Sequence, residues 1–209
     1  LVMASAMNLD RVAGVVRVVR HALLGTMLVE GIGAVLLAIR FVPQFGLLGI
    51  WFSIFHSISA FCNGGFDILG LYSGPYSSLA AYQGDPLVLG TIMALIVIGG
   101  LGFFVWEDVI QKRCWKKLTL YSKMVLGITA CLIVFGAVYF ACAEWENPDT
   151  LGSMPLWQRP LNALFQSVTL RTAGYATFDQ GKLLEGSAVM SILLMLIGGS
   201  SGSTAGGLK

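Results

Sequence analysis

Two short polar turns are the part of this sequence best suited to chemistry. Each carries a glycine followed by an aromatic residue, Gly65 in the first turn and Gly174 in the second. Turning successive carbonyl oxygens toward one axis requires unusual dihedral angles, including positive φ, which glycine adopts at least cost. Rings of such carbonyls replace the hydration shell of a potassium ion in a pore. The candidate ion-binding residues are Asn63, Gly64, Gly65, Phe66, Thr172, Ala173, Gly174 and Tyr175.

A simpler interpretation of these glycines is that they only allow helices to pack closely, as small residues often do in membranes. One glycine–aromatic pair would favour that interpretation. Two pairs at matching places favour a shared aqueous path, because irregular backbone inside a membrane survives only when buried in protein or beside water. We therefore predict that both turns line one cation path.

The elements that position the turns are two short apolar segments, Leu47 to Phe61 and Leu156 to Leu170. Both are too short to cross a bilayer and fit a re-entrant helix. Their sequences correspond, since 55–59 reads FHSIS and 165–169 reads FQSVT. Aligning Gly65 with Gly174 requires a gap of one residue. The chain thus repeats a unit of helix, short re-entrant helix and helix.

Four apolar runs could serve as the longer helices: residues 22–39, 87–106, 124–143 and 186–208. Only 11% of the residues are charged, whereas a soluble domain usually has about 25%. The composition therefore predicts an all-α polytopic membrane protein, and the repeated unit predicts tandem helix–pore-helix–helix (M1-P-M2) repeats, as in potassium channels. We expect one repeat over 1–112 and the other over 113–209.

The distribution of charge predicts that both repeats have the same orientation. Arg11, Arg17 and Arg20 precede the first run, and five cations fill the link at 112–123, whereas acidic residues dominate the opposite loops. Under the positive-inside rule, the cationic segments are cytoplasmic. The net charge of +2 gives no reason to expect a nucleic-acid partner.

The second half of the fourth run is rich in glycine and serine, so its helix should break there. The residues of this glycine-rich loop are Gly198, Gly199, Ser200, Ser201, Gly202, Ser203, Thr204, Ala205, Gly206 and Gly207. The pattern also matches G-x-S-x-G, so an intramembrane serine protease with His21 or His56 as base is one alternative. That motif needs a strand–turn–helix context, which is missing here. Another alternative is a sodium-coupled secondary transporter with broken helices.

Four strings resemble the Trk/Ktr/HKT superfamily of potassium transporters. Residues 55–66 and 171–175 look like its pore helices and selectivity filters. Residues 198–209 resemble the intramembrane loop of its third repeat, and 98–103 resemble the end of its second. The best fit is to repeats two and three of four in a Ktr-type membrane subunit. Three residues depart from the usual pattern of the family. At the positions of Cys62, Gly64 and Ser201, the family often has Asn, Ala and Pro, respectively.

The resemblance implies potassium uptake, with sodium as a possible cargo, through a fourfold pseudosymmetric pore in the cell membrane, which would be a bacterial inner membrane. It implies that the glycine-rich loop gates the pore under a cytosolic nucleotide-binding (RCK-type) ring, and that such chains form homodimers in the lipid bilayer. It implies no enzymatic chemistry and no covalent cofactor, with K⁺ held by filter carbonyls as the transported ion.

Three further residues carry expectations of their own. Glu30 interrupts an apolar run, and we expect it to pair with a basic residue on a neighbouring helix; the alternative is that its carboxylate tunes the electric field near the ion path. We expect His56 to form a hydrogen bond rather than to bind a metal. Arg171 should point away from the axis and hydrogen-bond to backbone behind the second turn.

Overall fold

The computed structural model describes residues 12–74 and 77–208, apart from the side chains of residues 12–18 and Leu71. Arg11 and the side chain of Arg17, which entered the charge argument, lie outside this description. The described residues form helices and turns without a β-strand, which confirms the all-α class. The helices are α1 (Val12–Phe45), α2 (Leu47–Phe61), α3 (Gly70–Ser73), α4 (Pro86–Leu101), α5 (Phe103–Lys112), α6 (Leu120–Ala143), α7 (Gln158–Thr169) and α8 (Glu185–Ile197).

Two of these helices are long and apolar enough to cross a membrane. They are the Val19–Phe45 part of α1 and the whole of α6, and the bent pair α4–α5 would make a third span if it crosses as one unit. Large apolar side chains stay exposed on their outer faces, for example Met27 at 70% and Val134 at 60%. Such faces suit contact with lipid rather than with water. The chain is a multi-pass membrane protein.

The prediction of one continuous helix over 87–106 is wrong. Helix α4 ends at Leu101, and α5 leaves at 95° to it. Gly102 makes the corner with a φ of +88°, a conformation that glycine adopts without strain. The N–H of Phe103, which would otherwise belong to the helix, donates to the Gly202 carbonyl over 3.1 Å. A contact from the far end of the chain therefore decides where this helix stops.

The short helices α2 and α7 contact the longer helices before them in the same way. Ser57 Oγ donates to the Glu30 carbonyl over 2.6 Å, and Ser167 Oγ donates to the Ile133 carbonyl over 2.8 Å. A glycine three residues after each acceptor leaves room for the serine, since a Cβ on Gly33 or on Gly136 would collide with that hydroxyl. The two halves are therefore packed alike down to single hydrogen bonds.

The larger hydrophobic core joins the two halves. It contains α1, α2 and α4 side chains together with Phe165, Val168, Ala173 and Tyr175 from the second half. Asn162 Nδ2 also donates to the Gln83 carbonyl over 2.9 Å, and the Leu79 N–H donates to the Ala176 carbonyl over 2.9 Å. Helix α7 and the second turn are thus held against the first half, which fixes the two polar turns relative to each other.

Candidate functional site

The first polar turn, Asn63–Phe66, follows α2 with left-handed backbone at every second residue. The φ angles are +50° at Asn63 and +66° at Gly65, and Gly64 between them is not left-handed. The Gly64 N–H donates back to the Ser59 carbonyl over 2.8 Å. Beyond the turn, Ser59 Oγ donates to the Phe66 carbonyl over 2.8 Å. The turn is therefore tied to the last turn of its own helix at both ends.

The second polar turn, Thr172–Tyr175, follows α7 with the same alternation. The φ angles are +66° at Thr172 and +90° at Gly174. The N–H groups of Ala173 and Gly174 both donate to the Thr169 carbonyl, over 2.9 and 3.4 Å. Thr169 Oγ1 donates to the Tyr175 carbonyl over 2.6 Å. Asn63 therefore corresponds to Thr172 and Gly65 to Gly174 by backbone geometry, the alignment that needs the one-residue gap.

The two turns touch at their glycines. A Cβ on Gly65 would collide with the Ala173 carbonyl oxygen and press on the backbone of Gly174, while a Cβ on Gly174 would lie 3.6 Å from the Gly65 Cα. Both glycines are at least partly exposed, whereas Asn63 and Ala173 are buried. Beside the turns lies a cavity of about 580 Å³ that is lined by Gly64, by 172–174 and by α8 side chains such as Ser191. Open space thus adjoins the backbone of both turns.

The aromatic residues that end the turns do not offer free carbonyls. The Phe66 carbonyl accepts hydrogen bonds from Ser59 Oγ and from Tyr175 Oη, and the Tyr175 carbonyl accepts one from Thr169 Oγ1. These hydrogen bonds anchor both positions to the wall behind the turns, and the binding of the ion by Phe66 and Tyr175 stays a prediction. The hydroxyls of Ser59 and Thr169 are contributors that sequence reasoning missed. The matching strings 55–59 and 165–169 contained the signal, since both end in a hydroxyl residue.

The side chain of Tyr175 connects the two turns. It is 1% exposed, and its hydroxyl donates to the Phe66 carbonyl over 3.2 Å. The ring lies 6.4 Å from that of His56, between centroids. His56 is fully buried, and its Nδ1 hydrogen-bonds to the Phe52 carbonyl over 2.7 Å. His56 therefore makes the expected hydrogen bond.

The glycine-rich loop, 198–207, lies against the ends of both turns. Thr204 Oγ1 donates to the Phe61 carbonyl over 2.8 Å, just before the first turn. The Gly206 N–H donates to Thr172 Oγ1 over 2.8 Å, inside the second turn. The loop closes on itself through the Gly199 N–H, which donates to the Gly206 carbonyl over 3.1 Å. It is a compact loop that is hydrogen-bonded to the end of α2 and to the second turn.

Two charged residues differ from expectation. Glu30 forms no salt bridge within the described residues. Arg171 is 6% exposed and lies beside α6 and the glycine-rich loop, away from the contact of the two turns, but its Nη1 has no hydrogen-bond partner within the same residues. The expected backbone hydrogen bond from Nη1 is therefore absent there, and the orientation of Arg171 relative to the pore axis stays a prediction.

Ser200 does not resemble a catalytic nucleophile. Its hydroxyl donates to the carbonyls of Gly100 and Leu101, at 3.2 and 2.5 Å. His56 is engaged with its own helix, and no described histidine hydrogen-bonds to Ser200. Since a serine nucleophile needs a neighbouring base, the serine motif here has a structural role at the corner between α4 and α5.

The chain has clear relatives among cation transporters. It is 43% identical to the potassium/sodium uptake protein NtpJ of Enterococcus hirae and 38% identical to the Ktr system potassium uptake protein B of Bacillus subtilis. Each match covers the whole chain but only 45% and 46% of the relative. The chain therefore spans about half the length of these relatives, and both are named as uptake proteins, not as enzymes.

A solved structure shares the fold. The crystal structure of the potassium transporter TrkH from Vibrio parahaemolyticus matches with a TM-score of 0.59 at 20% identity, over 82% of this chain and 35% of that one. The family model described as "TrkH: Cation transport protein" matches residues 11–209. The chain thus belongs to the TrkH family of cation transport proteins.

Proposed function

We propose that this protein takes up potassium across the cell membrane, and that the ion passes between the backbone oxygens of residues 63–65 and 172–174. The observation that carries the proposal is the shared backbone of the two turns, left-handed at every second residue and in contact at Gly65 and Gly174. Potassium is the proposed cargo because the relatives are named for its uptake. Sodium stays an alternative cargo, as in the name of the Enterococcus relative.

The hydrogen bonds of the turns support carbonyls that face away from the helices. In a trans peptide the N–H and the C=O of one unit point in opposite directions. The N–H groups of Gly64, Ala173 and Gly174 point back to the ends of α2 and α7. The carbonyls of Asn63, Thr172 and Ala173 therefore point the other way. Such a row of oxygens is the ligand set that replaces potassium's water shell.

Two turns supply only part of a ring, and the exposed faces indicate where further parts belong. On one face of α2, Trp51 is 59% exposed and Ile58 is 44% exposed. The corresponding α7 residues, Leu161 and Val168, pack against the larger core. Head-to-tail contacts of this kind close into a ring when the rotation permits. We propose that 1–112 and 113–209 are two of four M1-P-M2 repeats around one pore.

The proposal also includes regulation of the pore by the glycine-rich loop. The glycine-rich loop is hydrogen-bonded through Thr204 to the last residue of α2 and through Gly206 to the second turn, so its displacement would open the space beside the turns. Control by a cytosolic nucleotide-binding ring and assembly as a homodimer follow from the family resemblance. Deletion of 199–205 should therefore raise ion flux and weaken nucleotide control. Unchanged and still regulated flux in the deletion would rule out the gate.

Potassium rescue tests the function directly. The complete gene product that contains this chain should restore growth of an uptake-deficient bacterium in low-potassium medium. Purified and reconstituted, it should pass rubidium down its gradient without a sodium gradient. Failure of the complete gene product to restore growth would refute potassium uptake. Strict dependence of the flux on a sodium gradient would instead favour the secondary transporter with broken helices.

A further inference from the structure

The segment from α5 to the first turn of α6, residues 103–123, forms a basic corner on the cytoplasmic side. It contains five cationic and two acidic side chains, which gives it the highest density of positive charge among the described residues. The cations are Lys112, Arg113, Lys116, Lys117 and Lys123. The positive-inside rule assigns this side to the cytoplasm.

Internal contacts use only part of this charge. Asp108 accepts hydrogen bonds from the N–H and the Oγ1 of Thr119, both at 2.9 Å, and forms an ion pair with Lys112 at 2.6 Å. Lys123 Nζ donates to the Lys116 carbonyl over 3.2 Å. The remaining cations, Arg113, Lys116 and Lys117, are exposed and form no salt bridge within the described residues. Three positive charges are therefore available to a ligand.

Large apolar side chains stand next to these cations. Trp115 is 58% exposed, Ile110 is 63% exposed and Leu120 is 75% exposed. Helix α5 leaves α4 at 95°, so with α4 along the membrane normal α5 runs close to the plane of the membrane. Tryptophan and basic residues at that depth are typical of the boundary between headgroups and acyl chains.

We propose that the basic corner binds the headgroups of anionic phospholipids in the inner leaflet, through Arg113, Lys116 and Lys117, with Trp115 and Ile110 at the acyl boundary. Phospholipid fits better than a soluble acidic partner for two reasons. The corner is joined at both ends to helices that lie in the bilayer, so its cations are held within reach of the headgroups. The exposed Trp115 and Ile110 also suit a membrane surface, where apolar acyl chains lie beneath the charged headgroups.

The corner also contacts the glycine-rich loop at both of its ends. The Phe103 N–H donates to the Gly202 carbonyl over 3.1 Å, and Tyr121 Oη donates to the Ser201 carbonyl over 3.2 Å. A headgroup that orders the corner would therefore stabilise the segment on which the loop rests. Through these contacts, the lipid composition of the membrane can affect the glycine-rich loop. The binding of headgroups to the basic corner does not depend on ion transport.

Lipid retention measures the proposal without any flux assay. The complete protein is exchanged into vesicles of phosphatidylcholine alone or of equimolar phosphatidylcholine and phosphatidylglycerol, and bound lipid is counted by native mass spectrometry. The triple variant R113Q/K116Q/K117Q should bind phosphatidylglycerol about a hundredfold more weakly, from roughly fivefold for each juxtamembrane charge removed. Raised ionic strength should weaken binding to the unmodified protein in the same direction.

Two matched variants separate charge from folding. The charge-preserving R113K/K116R/K117R should retain phosphatidylglycerol, and Lys182→Gln, which removes a cation on the opposite side of the membrane, should leave retention unchanged. Equal retention by the triple glutamine variant and the unmodified protein would overturn the proposal. So would a triple variant that keeps its lipid but loses a cytosolic protein partner, because the corner would then be a protein docking surface.

Discussion

Gly65 occupies the point at which the two polar turns meet. Its φ is +66°, and a Cβ would collide with the Ala173 carbonyl oxygen. In Gly65→Ala the strained backbone and the collision should push the two turns apart and misplace their oxygens. We expect the initial rate of rubidium uptake, per folded transporter in the membrane, to fall at least about tenfold, since a 1 Å error in a coordinating group is costly.

Gly90→Ala is the matched control for this prediction. Gly90 lies in α4, and no atom outside its own helix lies within 4 Å of its Cβ position. Alanine there should keep uptake normal and favour the helix by about 1 kcal/mol. Wild-type uptake by Gly65→Ala would mean that ions do not pass this contact.

At the scale of residues, the sequence predicted the glycines better than their neighbours. Gly65 and Gly174 follow from the repeated pattern, because a positive φ is a local demand that one residue type meets. The roles of Phe66 and Arg171 depend on groups far away in the chain. The Phe66 carbonyl is taken by the Tyr175 hydroxyl, from a residue in the other half, and no local pattern contains that information.

At the scale of elements, Glu144 joins the end of α6 to the start of α8. It is fully buried, and its carboxylate accepts hydrogen bonds from the Leu184 N–H at 3.0 Å, Thr150 Oγ1 at 2.7 Å and Asn147 Nδ2 at 2.7 Å. Burial by itself raises the pKa of this carboxyl, but the nearby Ser187 hydroxyl and these donors together hold the pKa below its ordinary value. The ionised form is therefore the one that the fold stabilises.

Glu144→Gln should lower stability by about 2 kcal/mol at neutral pH, because hydrogen bonds to a charged acceptor are lost and an amide N–H₂ meets donors. Since the folded-state pKa is depressed, the contribution of Glu144 is present above its unfolded pKa and is lost as pH falls through the folded value. The loss of stability on acidification below the ordinary pKa of a glutamate should thus be smaller in the variant. Thermal unfolding of the detergent-solubilised protein measures both effects.

Glu146→Gln provides the comparison, because Glu146 is exposed and two residues away. It should unfold at the same temperature as the unmodified protein. Equal unfolding temperatures of Glu144→Gln and Glu146→Gln at every pH would mean that the buried carboxylate does not stabilise the contact between α6 and α8.

The elements also show where hydropathy stops being informative. The run over 87–106 is apolar throughout, so nothing in its composition marks the corner at Gly102. The corner exists because the Gly202 carbonyl accepts the Phe103 N–H and Ser200 caps the Leu101 carbonyl. Both partners belong to the glycine-rich loop, about 100 residues later. By contrast, α6 and the short α2 were predictable because their lengths and apolar runs are local properties.

At the scale of the whole molecule, we propose that the two halves are neighbouring units of a ring that continues. Tyr175 of the second half inserts behind the first turn and is 1% exposed, while its counterpart Phe66 is 70% exposed. The α2 face shows the same asymmetry, with Ile54 and Ile58 at 40% and 44%. A third unit placed by the same rotation would cover Phe66 and this face. The relatives, about twice as long as this chain, have room for such units.

A bulky substitution distinguishes a covered face from a lipid-facing one. In the described chain Ile58 has space around it, so Ile58→Trp would be harmless if that face met only fluid lipid. If another repeat of the complete protein packs there, the larger ring should overpack the contact at a cost of about 1–3 kcal/mol and reduce both the yield of monodisperse protein and rubidium uptake. Val134→Trp, on the exposed face of α6, should change neither. Equal behaviour of the two variants would mean that α2 borders lipid and that the ring does not continue past this face.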